Sequence, residues 1–121
     1  MVNRGRKISG GKYHKKMKKK KYSQVGHVRV VKLRPKKMKV LRTKGGHKKN
    51  VLLAEEMVNV VDKKGKTKKV KIKNVVETPS NRFLARQNVL VKSAIVDTDL
   101  GKARITNRPS QEGIVQGILI E

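Results

Sequence analysis

Cysteine and tryptophan are absent from this 121-residue chain, and its only aromatic residues are Tyr13, Tyr22 and Phe83. Without cysteine there is no disulfide framework, no thiolate metal site and no cysteine nucleophile. Acid is scarce as well: 8 Asp and Glu stand against 33 Lys and Arg, for a formal net charge of +25. No apolar run approaches the roughly 18 residues that a membrane-spanning helix needs. No apolar segment follows the basic N-terminus, so a secretory signal is not expected. The chain reads as an intracellular protein of one compact domain plus a tail.

A charge of this size is an argument about partners, because the compact chain repels itself unless a polyanion neutralises it. The available polyanions are nucleic acid and anionic membrane. Membrane binding wants aromatic or apolar anchors beside the charge, and aromatics make up only 2% of this chain. Nucleic acid is the better fit. The charge is also segregated. Residues 1–50 hold 20 Lys and Arg and no acid, a charge of +20, whereas residues 51–121 hold 13 bases and all 8 acids, a charge of +5.

Within the first half, Lys15, Lys16, Lys18, Lys19, Lys20 and Lys21 form a block of like charge interrupted only by Met17. Such blocks are solvated arms, and nearby Gly5, Gly10 and Gly11 lower order further. Residues 1–25 therefore read as a basic extension that takes shape on its partner, and residues 26–121 as the folded domain. A passive solubility tail or a localisation patch is the plainer reading; the absence of acid over 50 residues favours a binding arm.

From Val28 the pattern becomes one of short β-prone runs. Val28, Val30 and either Val31 or Leu33 give one, and Met38, Val40 and Leu41 a second. In the longest apolar stretch, Val51 to Val61, the start through Met57 suits a helix by propensity and the end suits a strand. The strand reading is preferred because a hairpin partner follows. There, Asp62-Lys63-Lys64-Gly65-Lys66 has turn chemistry, and Lys69, Val70, Lys71, Ile72 and Lys73 alternate as a half-buried strand requires. Arg82 to Asn88 suits one helical turn. Ala94-Ile95-Val96 and Ala103 to Thr106 flank a turn at Asp97–Gly101, Asn107–Gly113 reads as a loop, and Ile114 to Ile120 as a last apolar strand. Runs at this spacing predict an all-β fold, a small antiparallel β-barrel, closed because so short a sheet stands poorly alone.

Catalytic signals are lacking. His14, His27 and His47 have no metal-ligand spacing and no close carboxylate companions. Glu55 and Glu56 on a strand point to opposite faces, poor geometry for acid/base work, and Asp97 and Asp99 suit turn formation. No enzyme activity, cofactor, metal or small-molecule substrate is expected. Two glycine pairs, Gly10-Gly11 and Gly45-Gly46, are flanked by bases but do not fit the phosphate-loop pattern. The plainer reading of each is a turn; the basic flanks favour contact with a nucleic-acid backbone, with the amides turned toward the anion. Lysine in excess and few aromatics argue against a single-strand reader that stacks bases. No helix-turn-helix, zinc finger or zipper supports sequence-specific DNA readout. Folded RNA, with its crowded phosphates, is the expected ligand.

Three blocks carry a family resemblance. Arg6-Lys7-Ile8-Ser9-Gly10-Gly11-Lys12 with the lysine block after it resembles the N-terminal signature of the ribosomal protein S8e family. Arg42-Thr43-Lys44-Gly45-Gly46-His47-Lys48-Lys49 resembles that family's second glycine-pair segment, and Ile95 to Val115 its C-terminal part. The resemblance implies a constituent of the small ribosomal subunit of archaea and eukaryotes, cytoplasmic, contacting small-subunit rRNA and neighbouring ribosomal proteins. It also implies a small β-barrel with a basic N-terminal extension, and the length is similar to the shorter archaeal members. The stretch 12–24 is richer in Lys than in relatives, which use more Arg, so point charges replace bidentate forks there. The expected RNA contacts are Arg4, Arg6, Lys7, Gly10, Gly11, Lys12, the Lys15–Lys21 lysines, Arg29, Arg34, Lys36, Lys37, Arg42, Lys44, Gly45, Gly46, His47, Lys48 and Lys49. A ribosome-assembly factor and a DNA-compacting chromatin protein are the competing readings.

Overall fold

The computed structural model describes residues 5–13, 18, 20–24 and 26–120. Seven strands carry the fold: β1 (Lys37–Arg42), β2 (Lys48–Ala54), β3 (Met57–Val61), β4 (Thr67–Glu77), β5 (Ile95–Thr98), β6 (Gly101–Ile105) and β7 (Gln116–Leu119). Two four-residue helices, α1 (Phe83–Arg86) and α2 (Pro109–Glu112), lie between strands. Strands β3 to β7 close into a barrel, while β1 and β2 form a separate two-stranded sheet.

The all-β barrel expected from the strand spacing is the architecture found. Its chain zigzags through four antiparallel seams, and the fifth, between β3 and β7, is parallel. Parity requires this: an up-and-down run of five strands ends pointing the way it began. Strand β4 makes the closure feasible by serving two neighbours. Its residues 67–71 pair with β3 and its residues from Ile72 onward with β5, with register shifts between Ile72 and Asn74 and between Val75 and Glu77. Such bulges raise local twist and bend a strand toward its next partner. At the neighbouring β6–β7 seam, a Cβ on Gly117 would lie 2.9 Å from the Arg104 carbonyl oxygen, so only glycine admits this approach of β7 to β6.

The alternation read at Lys69–Lys73 is present: Val70 and Ile72 are buried and the three lysines exposed. They join Val58, Val60, Val96, Ala103 and Ile105 in the barrel core. The stretch from Val51 to Val61 is strand on both sides of a break at Glu55-Glu56, which settles the alternative of a helix. Each of those glutamates takes its own lysine, Glu55 bonding Lys36 at 3.3 Å and Glu56 bonding Lys71 at 3.5 Å.

Two elements differ from the sequence reading. Residues 28–33 are not a strand. They form a short extended splice in which Lys32 bonds both ways with the end of β2 and the residue after it (its amide to the Leu53 carbonyl, 3.1 Å, and its carbonyl from the Glu55 amide, 3.2 Å). On its other side Val31 accepts from the Leu90 amide at 2.8 Å, and the Leu33 amide donates to Asn88 at 2.9 Å. With only three residues engaged, no ladder develops, yet Val31 is buried and enters the barrel core. Second, the loop 107–113 contains α2, with Pro109 at its start and Gly113 in the left-handed conformation at its end. Asn107 braces this corner: its side chain donates to Glu112 and to the Ile114 carbonyl and accepts from the Gln116 amide.

Candidate nucleic-acid interface

Three basic hairpin tips share one hydrogen-bond pattern. At the first, the Lys7 amide donates to Gly11 and the Gly10 amide to Lys7, both at 2.8 Å. At the second, the Thr43 amide donates to His47 at 2.7 Å and the Gly46 amide to Thr43 at 3.3 Å. At the third, the Asp62 amide donates to Lys66 and the Gly65 amide to Asp62, both at 2.9 Å. The fourth residue of each turn is a glycine with φ of 80, 80 and 75° respectively, a conformation that costs other residues strain. This is the three-residue hairpin loop closed by a left-handed glycine.

The glycines therefore act through conformation. The amides of Gly10 and Gly46 are used inside their own turns, donating to Lys7 and Thr43. What the tips present is side chains. Lys7 and Lys12 are exposed on the first, where Arg6 spends one N–H on the Gly10 carbonyl at 3.0 Å. The Lys7 ammonium lies 5.9 Å from the Tyr13 ring centre. On the second tip Arg42, Lys44, His47, Lys48 and Lys49 are all exposed.

The β1–β2 register sharpens the electrostatics. Arg42 lies directly opposite Lys48, and like charges so placed repel across a sheet. Among the described residues of the acid-free half, Lys36 alone has an acidic partner, Glu55. The second half is different: Lys71 is paired with Glu56 and Lys73 with Asp99 at 3.2 Å. Acids there also serve the backbone. Asp62 accepts from the Lys63 amide at 2.8 Å. The Arg108 amide, with help from the Asn107 side chain, holds the Glu112 carboxyl below its ordinary value.

Of the expected contacts, the structure gathers Arg42, Lys44, Gly45, Gly46, His47, Lys48 and Lys49 on one tip and Arg6, Lys7, Gly10, Gly11 and Lys12 on another. Lys18, Lys20 and Lys21 are exposed, as are Arg29, Arg34 and Lys37. Arg4, Lys15, Lys16 and Lys19 lie outside the described residues, and with them much of the extension at 1–25. Sequence reasoning passed over Lys64 and Lys66 on the third tip, and also Arg108, which shares a polar groove with His27, Arg29 and Lys49. The signal for the third tip is the repeated turn pattern, a glycine closing a basic loop, outside the acid-free half.

The profile of the ribosomal protein S8e family matches residues 2–120, nearly the whole chain. The chain belongs to the S8e family. Relatives within it agree. The chain is 44% identical to the small ribosomal subunit protein eS8 of Methanococcus aeolicus, over 95% of this chain and 91% of that protein. It is 41% identical to eS8 of Sulfolobus acidocaldarius, over 98% and 94% of the two chains. For eS8 of Methanocella arvoryzae the identity is 40%, over 95% and 93%. S8e membership covers all three sequence blocks, and S8e proteins carry the name of ribosomal proteins, not of enzymes.

Proposed function

We propose that this protein is a structural constituent of the small ribosomal subunit that binds folded small-subunit rRNA by neutralising its phosphates. Its relatives are named as small-subunit proteins. The observation that carries the RNA mechanism is the charge of residues 1–50, which among the described residues meets acid only at Lys36, with Arg42 held opposite Lys48 at an exposed hairpin tip. Holding such charges together without an anion costs stability; phosphates placed between them turn repulsion into attraction. Residues 1–25 serve as a basic extension and the remainder as the folded body, with ribosomal proteins as neighbours in the cytoplasmic ribosome.

Sedimentation of native ribosomal particles tests this reading. A stoichiometric place in mature small subunits is expected. Confinement to precursor particles would make the protein an assembly factor instead, and recovery on the chromosome a chromatin protein.

A further inference from the structure

The strongest feature that phosphate neutralisation leaves unexplained is an apolar groove in a highly cationic protein. Val28, 87% exposed, and Val30, 39% exposed, stand on the unpaired part of the splice that leads to Val31. With Leu84, Val91 and Pro109 they line a slot of about 310 Å3. That is the small end of the range of ligand pockets, about 300–1,000 Å3, and suits one heterocycle with its sugar. Arg29, Lys92 and Arg108 line the same slot.

The slot continues into a second one of about 440 Å3, which shares Val28, Arg29, Arg108 and Ser110 and adds His27 and Lys49. Among the described residues no Asp or Glu lines either. The nearby Glu112 carboxylate is turned to the Arg108 amide, 3.1 Å, and the Asn107 side chain, 3.2 Å. An apolar slot joined to a cationic one matches the two ends of a nucleotide, a flat base and an anionic phosphate. The two guanidiniums add the fork geometry that phosphate favours.

We propose that this double slot captures one unstacked RNA nucleotide, its base against Val28, Val30 and Leu84 and its phosphate between Arg29 and Arg108. The proposal rests on the RNA reading and goes beyond it. Phosphate contacts position the protein but carry no sequence information, whereas a held, splayed-out base can be recognised as such.

Amide NMR shifts of the full chain test the slot, with adenosine 5′-monophosphate and ribose 5-phosphate as probes of equal charge. The adenosine nucleotide should move the amides of Val28, Val30, Val91, Lys92 and Ser110 and saturate at roughly five-fold lower concentration, a gain of the size that covering a small patch of apolar surface supplies. Val28→Ser should abolish that advantage while leaving the response to ribose 5-phosphate and the barrel resonances in place. Equal saturation by both probes, or no shifts at these amides, overturns the proposal. So does an acidic leucine-containing peptide that binds the same amides more tightly, since the slot then belongs to a protein neighbour. Binding of an rRNA fragment by the same sample separates the two claims: fragment bound and nucleotide ignored rejects the slot alone, and neither bound rejects the RNA reading as well.

Discussion

The hairpins β1–β2 and β3–β4 end in turns with the same hydrogen-bond pattern, yet they are built for different surroundings. In β4 alternate residues are buried and the outward lysines Lys71 and Lys73 meet Glu56 and Asp99. In β1 no residue is buried, Met38 and Val40 remain 43% and 56% exposed, and Arg42 faces Lys48. The first pattern satisfies a strand within its own fold. The second leaves both charge and apolar surface for a partner. Membership of a barrel therefore divides the molecule into a part whose charges are matched within the fold and a part that, on the proposed function, is completed by RNA.

The largest effect expected is at the joint between the parts. Leu52 belongs to β2 but lies fully buried in the core cluster, so it anchors the exposed hairpin to the barrel. Leu52→Ala should cost about 3 kcal/mol, read as a loss of thermal stability of the free protein. A change under about 1 kcal/mol would mean that the hairpin is not fixed through the core. A smaller effect of another kind is expected from removing residues 1–25. Affinity for a small-subunit rRNA fragment should fall by about ten-fold or more, since several phosphate contacts are lost, while the circular dichroism of the barrel persists. If the shortened chain unfolds, the division between extension and folded body fails. The smallest effect tests the repulsion itself. Arg42→Ala with Lys48→Ala should raise the stability of the free protein by a few tenths of a kcal/mol, on the order expected for opposed like charges, while weakening RNA binding. A drop in both would show that these side chains hold the hairpin together.

The same contrast explains what was legible in the sequence. The β3–β4 hairpin announced itself through Gly65 and the alternation at Val70 and Ile72, because burial on one face writes a period of two. β1 was found from Met38, Val40 and Leu41, although its place outside the barrel was not, since its apolar residues have no core to face. The parallel seam is a property of strand number and is invisible to local pattern. Helix α2 had its signals, Pro109 at the first position and Gly113 just past the end, but both residues also mark loops and were read so. The splice at 28–33 escaped because its partners, Leu53, Glu55, Asn88 and Leu90, are distant in sequence. The groove beside it brings together residues from 28 to 110, and no window of sequence contains it. The basic tips were legible as composition, whereas the opposition of Arg42 to Lys48 needed the register.

The central claim is that the acid-free half works by displacing counterions from many RNA phosphates at once. Its most direct test is the affinity of the full chain for a small-subunit rRNA fragment as a function of salt. The account predicts a steep linear fall of log affinity with log salt, equivalent to about six or more neutralised phosphates at roughly 0.7 to 0.9 per contact. A slope worth only about one or two contacts would contradict it.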